Sequence, residues 1–124
     1  MPDIRPHIVV VDDDEDMNHA IQRLLNAAGF GAATFRSAES LLEQGAGATA
    51  DCLVVDIHLP GMSGFELCRR LKQDGAEAPV IFITAYDDPA NRAEAEASGA
   101  AGYFAKPFPG QALITAIKNS IMPL

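Results

Sequence analysis

Acids, a hydroxyl and an amine stand directly after four apolar runs of this chain. Ile8-Val9-Val10-Val11 leads into Asp12-Asp13-Asp14-Glu15-Asp16, and Cys52-Leu53-Val54-Val55 ends on Asp56. Val80-Ile81-Phe82-Ile83 ends on Thr84, and Ala101-Gly102-Tyr103-Phe104 is followed by Lys106-Pro107. If Asp12, Asp13 and Asp56 converge, their mutual repulsion demands a compensating cation. A few carboxylate oxygens completed by water suit magnesium. Calcium fits less well, because no loop here alternates acidic ligands and closes on a bidentate glutamate. Beside such an ion, the Asp56 carboxylate can attack phosphorus while the ion neutralises the incoming phosphoryl group. Lys106 would add a second fixed positive charge, and Thr84 a hydrogen bond to a phosphoryl oxygen.

For these side chains to meet, the runs that carry them must lie side by side. Three runs (8–11, 52–55 and 80–83) are continuous and rich in β-branched residues, as expected of parallel strands buried on both faces. Ala32-Ala33-Thr34-Phe35 and Ala101-Gly102-Tyr103-Phe104 are weaker and suit sheet edges. Helical patterns fill the gaps. Met17, Ala20, Ile21, Leu24, Leu25 and Ala28 follow a helical stripe that stops at Gly29. Ser37 is placed to cap a second helix bearing Leu41 and Leu42, and Ser63 a third bearing Phe65, Leu67, Cys68 and Leu71 before Gly75. An alanine-rich helix runs from about Pro89 to Ser98 and stops at Gly99. A last one follows Pro109 and carries Leu113, Ile114, Ile117 and Ile121. Asp14 is expected to be a helix cap. The alternation predicts an α/β fold of the (βα)5 type with right-handed crossovers. Ligands of such sheets bind beyond the carboxyl ends of the strands, where the chemical residues stand.

Composition narrows the function. The chain has 124 residues, 48% of them hydrophobic, which fits one domain, 1–124, with a real core. With 9 Lys and Arg against 17 Asp and Glu, the formal net charge is −8. That balance opposes direct binding of a phosphate backbone, which takes a basic patch. No run approaches the length of a membrane span, and Met1-Pro2-Asp3-Ile4-Arg5-Pro6 lacks the apolar run of a secretory signal. A cytoplasmic protein without membrane partners is expected. Cys52 and Cys68 are too few and too dispersed for a disulfide framework and are read as small core residues.

The motifs Val10-Val11-Asp12-Asp13, Val55-Asp56-Ile57-His58-Leu59-Pro60-Gly61-Met62-Ser63-Gly64, Ile83-Thr84-Ala85 and Tyr103-Phe104-Ala105-Lys106-Pro107-Phe108 occur in this order. Any one is weak. Together they make the chain, from Ile8 to about Ile121, resemble the CheY-like receiver domains of two-component response regulators. The resemblance implies a flavodoxin-like parallel sheet of order 2-1-3-4-5. It implies that Asp56 is the phosphoacceptor, supplied by a sensor histidine kinase or phosphotransfer protein. Asp13 would bind magnesium directly and Asp12 largely through water, with Asp56 and the backbone carbonyl of His58 as further ligands and manganese as a substitute ion. Thr84 and Lys106 would contact the phosphoryl oxygens. Tyr103 would change rotamer on activation, its alternative being a fixed edge-strand aromatic. The Lys106-Pro107 bond is expected to be cis, and Ala85 is small, as access to the phosphorylated carboxylate requires. The side chain of His58 would border the path of the hydrolysing water and tune dephosphorylation, or else lie exposed with little effect. Gly61 and Gly64 are read as shaping their loop, and His7 and His19 as structural or surface residues.

The chain is therefore expected to be a signalling switch that assists only its own phosphorylation and dephosphorylation. Its fourth helix, fifth strand and fifth helix would repack on activation, meet an output partner of unknown kind and offer a homodimer surface. Three competitors are a phosphorylation-independent interaction module, a magnesium-dependent aspartyl-phosphate phosphatase and a flavodoxin-like cofactor binder. The phosphatase would want a second Asp where His58 stands, and a cap domain. A flavodoxin-like cofactor binder would want a glycine- or hydroxyl-rich phosphate loop where Asp12-Asp13-Asp14-Glu15 stands. A linker would begin near Ile121-Met122-Pro123-Leu124, so a single-domain regulator and the receiver of a longer one are both compatible with the sequence.

Overall fold

In the computed structural model the described residues are 5–121. The Met1–Ile4 segment read for a secretory signal and the Met122–Leu124 end read as a linker start lie outside them. The apolar runs become β1 (His7–Val11), β2 (Gly31–Phe35), β3 (Cys52–Asp56), β4 (Val80–Thr84) and β5 (Gly102–Ala105). They form one parallel sheet of order β2-β1-β3-β4-β5. The two weaker runs do occupy the edges. Between the strands run α1 (Glu15–Ala27), α2 (Ala38–Gln44), α3 (Gly64–Gln73) and α4 (Pro89–Ala97), and α5 (Gly110–Ile121) follows β5.

The period-two alternation of each strand divides the core in two. Val9, Val11, Leu53, Val55 and Phe82 face α2, α3 and α4 through Leu41, Phe65, Leu67, Leu71 and Ala95. Ile8, Val10, Cys52, Val54, Ile81 and Ile83 face α1 and α5 through Ile21, Leu25, Leu113, Ile114 and Ile117. Both faces are thus covered, which is why the central runs carry no polar alternation.

Helix starts follow side-chain caps. Asp14 accepts from the backbone N–H of Asp16 and Met17, Ser37 from Ser40 and Ser63 from Glu66. The α4 cap is Asp88, whose carboxylate accepts from Asn91 N–H. The sequence reading began that helix at Pro89 and missed it. It also missed a short 3₁₀ helix, Ala46–Thr49, between α2 and β3, because four small residues leave no periodic signal. Gly29 (φ 94°) and Gly75 (φ 90°) end α1 and α3 in backbone conformations that other residues rarely adopt. Among the described residues, no helix is long and apolar enough to cross a membrane.

Both cysteines are free and buried, one in each half of the core. Burial pushes the Cys52 thiol up to about 11 and the Cys68 thiol up to about 12. Reactivity requires the thiolate, so neither should react with a thiol-specific chromogen in the native protein near neutral pH. Both should react once denaturant unfolds the chain. Rapid native labelling of either would contradict this placement.

Candidate functional site

Strand register brings the chemical residues to one rim. Val11 pairs with Val55, so Asp12 and Asp56 come level one step further along β1 and β3. Asp56 pairs with Ile83, placing Thr84 just beyond it, and Thr84 pairs with Ala105, directly before Lys106. Asp12, Asp56 and Thr84 are buried, and Asp13 is exposed. One oxygen each from Asp12, Asp13 and Asp56 can be chosen so that all lie within 4.8 Å of one another.

Lys106 ties this cluster. Its Nζ donates to Asp12 Oδ2 at 2.7 Å and to Asp56 Oδ2 at 3.1 Å. The remaining oxygens are held by backbone: Asp14 N–H donates to Asp12 Oδ1 at 2.9 Å, and His58 N–H to Asp56 Oδ1 at 3.0 Å. Lys106 is placed by its own N–H, which donates to Thr84 O at 2.8 Å, and its peptide bond to Pro107 is cis.

The electrostatics are unequal. Burial raises the Asp56 carboxyl above its ordinary range, and Asp12 adds to the effect, while His58 N–H and Lys106 oppose it. For Lys106, burial works against the ammonium, but its bonds to Asp12 and Asp56 and their charges outweigh it and hold its pKa up. The pairing thus outweighs burial at Lys106 but not at Asp56, because Asp56 also faces a like charge from Asp12. Three carboxylates against one ammonium leave two negative charges, matching one divalent cation. The donors are hard oxygens, which fits magnesium or manganese and not a soft metal.

Thr84 and Tyr103 are placed differently. Among the described residues, the Thr84 hydroxyl bonds only to Tyr86, accepting from its N–H at 2.9 Å and donating to its carbonyl at 3.2 Å. The Tyr103 hydroxyl donates to Asp87 Oδ1 at 3.1 Å. Arg92 grips the same carboxylate with two 2.9 Å bonds and lies 4.8 Å from the Tyr103 ring centroid. That grip holds the Asp87 carboxyl below its usual range. Burial and the Asp87 bond raise the Tyr103 phenol. His58 turns its ring to Tyr86 and Asn91.

Three supporting residues escaped the sequence reading. Asn18 is buried on α1, and its Nδ2 donates to Asp12 O at 2.7 Å and Phe35 O at 3.3 Å, stitching the ends of β1 and β2. Its signal was a polar residue in line with Ile21 and Leu25, the buried stripe. Glu39 on α2 accepts from Met62 N–H at 2.9 Å, bracing the loop after Asp56. Asn91 joins His58 to Tyr86. Neither of the last two leaves any periodicity to read.

A family model described as "Response regulator receiver domain" matches residues 8–118. The transcriptional regulatory protein FixJ of Bradyrhizobium diazoefficiens is 35% identical over 115 residues, covering 93% of this chain and 56% of that protein. The solved structure of response regulator StyR superposes with a TM-score of 0.86 at 38% identity, over 94% of this chain and 59% of that one. The BeF3-activated DrrB receiver domain superposes with a TM-score of 0.86 at 30% identity, over 95% and 98%. The chain spans about half the length of the curated relatives it matches, such as FixJ and TodT.

Proposed function

This chain belongs to the receiver-domain family of two-component response regulators, and from that premise we propose that it is a phosphoacceptor switch working through Asp56. The observation that carries the proposal is the Lys106 ammonium bridging Asp12 and Asp56 beside Asp13. We read residues 1–124 as one receiver domain acting in the cytoplasm. Its donor would be a sensor histidine kinase or a phosphotransfer protein.

Asp12, Asp13, Asp56 and the His58 carbonyl would hold magnesium, or manganese in its place. When bound, the ion supplies positive charge to the phosphoryl oxygens. Asp56 is the nucleophile: its oxygen bonds phosphorus as the donor's bond to phosphorus breaks, and the donor leaves with that electron pair. Lys106 is already within bonding distance of the nucleophile and can follow a phosphoryl oxygen as the charge moves outward. The Thr84 hydroxyl must exchange Tyr86 O for a phosphoryl oxygen. Phosphorylation adds about −1.5 to −2 charge at this rim, and a state that binds it better is favoured by that difference alone.

The readout would pass through Tyr103. For Tyr103 to turn inward, its bond to Asp87 must break and the Arg92 contact must be given up. The α4-β5-α5 surface would then repack for an output partner, or for a second copy of this chain. Net charge opposes direct nucleic-acid binding by the chain itself. It would act as no enzyme beyond its own phosphorylation and dephosphorylation, the latter tuned by His58.

Intact-mass spectrometry after incubation with acetyl phosphate tests the proposal. The expected result is one phosphoryl adduct that forms with magnesium and fails to form in excess chelator. A folded, magnesium-supplied protein that takes no adduct from acetyl phosphate or a cognate kinase would overturn it, leaving the interaction-module reading.

A further inference from the structure

His58 and Tyr86 occupy matching places on two neighbouring loops. His58 N–H donates to Asp56 Oδ1, and Tyr86 N–H donates to Thr84 Oγ1. Their rings meet edge to face, with centroids 4.9 Å apart and planes at 83°. The pair therefore spans the gap between the loop that follows the nucleophile and the loop that follows Thr84.

Asn91, in the first turns of α4, holds that pair together. Its Nδ2 donates to Tyr86 O at 2.8 Å and lies 3.3 Å from His58 Nε2. A carbonyl oxygen only accepts, so the carboxamide must present its NH2 group and not its oxygen. The second hydrogen of that group then faces Nε2, which accepts it and leaves the ring proton of neutral His58 on Nδ1. The amide is also firmly mounted, because Asn91 N–H is bound at 2.7 Å by the Asp88 cap. One side chain thus ties the backbone of one loop to the ring of the other.

We propose that Asn91 is a positioning residue for the phosphoryl chemistry, clamping the His58–Tyr86 pair across the approach to Asp56. The inference rests on the phosphoacceptor reading of Asp56. In phosphorylation, the donor's leaving group departs from the side of phosphorus opposite the Asp56 oxygen. In hydrolysis, a water oxygen bonds phosphorus from that same side. The bond to Asp56 breaks, its electron pair returns to the carboxylate, and the water proton passes to solvent. A clamp over this side therefore slows both directions.

The test uses the full chain carrying Asn91→Ala, which keeps the backbone bond to the Asp88 cap. Adduct formation from acetyl phosphate, and decay of the adduct after donor removal, should both accelerate by similar factors of about two- to tenfold, the range that loss of one hydrogen bond supports. Asn91→Leu, which keeps the bulk of the side chain but can neither donate nor accept, should match Asn91→Ala. Adding His58→Ala to Asn91→Ala should change neither rate further. On the unphosphorylated protein, imidazole nitrogen shifts measured above the histidine titration range should show His58 losing its Nδ1–H preference in the variant. Unchanged tautomer populations, or rates that stay level, fall or move in opposite directions, would overturn the clamp. A wild type that takes no phosphoryl group would defeat the phosphoacceptor reading instead, and the tautomer measurement would still decide whether Asn91 holds the ring.

Discussion

Asp56→Asn is expected to abolish the phosphoryl adduct and, at the same time, to stabilise the metal-free fold. The amide that replaces the carboxylate has no anionic oxygen to attack phosphorus, so adduct formation should fall on the order of a thousandfold or more. The stability gain follows from the environment of the group. Asp56 is buried against Asp12 and shares one ammonium with it, and burial first, then Asp12, hold its pKa above the unfolded value. Removing its charge relieves both costs. The change also gives up one charge-assisted bond, because the amide cannot accept from both His58 N–H and Lys106 Nζ. Lys106 keeps its shorter bond to Asp12, so the net gain should be about 1–2 kcal/mol. The sign carries into pH dependence. A carboxyl with a raised folded pKa takes its proton first in the folded state, so the cost is full above that pKa and shrinks as pH falls from there toward the unfolded value. Metal-free wild type should therefore gain stability as pH falls through the raised Asp56 pKa toward the ordinary carboxylate range, and Asp56→Asn should lack that component. Lys106, also raised, contributes stability that is lost only as pH climbs through its own folded pKa. Thermal melts in chelator across this range read the prediction. An Asp56→Asn protein that melts lower than wild type at neutral pH would contradict it.

What the sequence disclosed and what it withheld divide along a physical line. Strand and helix positions are written in periodicity and in continuous apolar runs, so the buried central strands were legible, and the edge strands were legible from their weaker runs. The rim residues were legible because parallel strands deliver whatever follows them to one end of the sheet. The bonding partners of those residues were not. That Thr84 bonds to Tyr86 and Tyr103 to Asp87 depends on loop conformation, which no period encodes. Asn91 and Glu39 belong to the same class: each makes its decisive bond from the first turn of a helix to a loop. Asn18 is the intermediate case, since its polarity on a buried stripe marked it but not what it would stitch.

Gly64→Ala should be among the most damaging single-methyl additions available to this fold. Gly64 opens α3 immediately after the Ser63 cap, and its N–H donates to Ile57 O at 3.0 Å, so the helix starts directly against the end of β3. A Cβ there would collide with the backbone carbonyl of Asp56. It would also stand 2.9 Å from Val55 Cγ1 and 3.0 Å from Ile57 Cα. Two of these three obstacles are backbone, which no rotamer change can move. Either α3 lifts off the sheet or the strand end that carries Asp56 shifts. The cost should be about 3 kcal/mol, a fall in melting temperature of roughly 10 °C for a domain of this size. Gly31→Ala is the matched control. Its Cβ would meet His7 Nδ1 at 3.6 Å and Pro6 O at 3.8 Å, ordinary contact distances, and its φ is not positive. That change should stay within about 0.5 kcal/mol of wild type. The functional consequence separates Gly64 from a general packing defect. Because the displaced backbone belongs to Asp56 itself, acetyl phosphate reactivity should fall even at temperatures where the variant remains folded. Full reactivity together with a wild-type melt would show that the α3 start has room to move without disturbing Asp56.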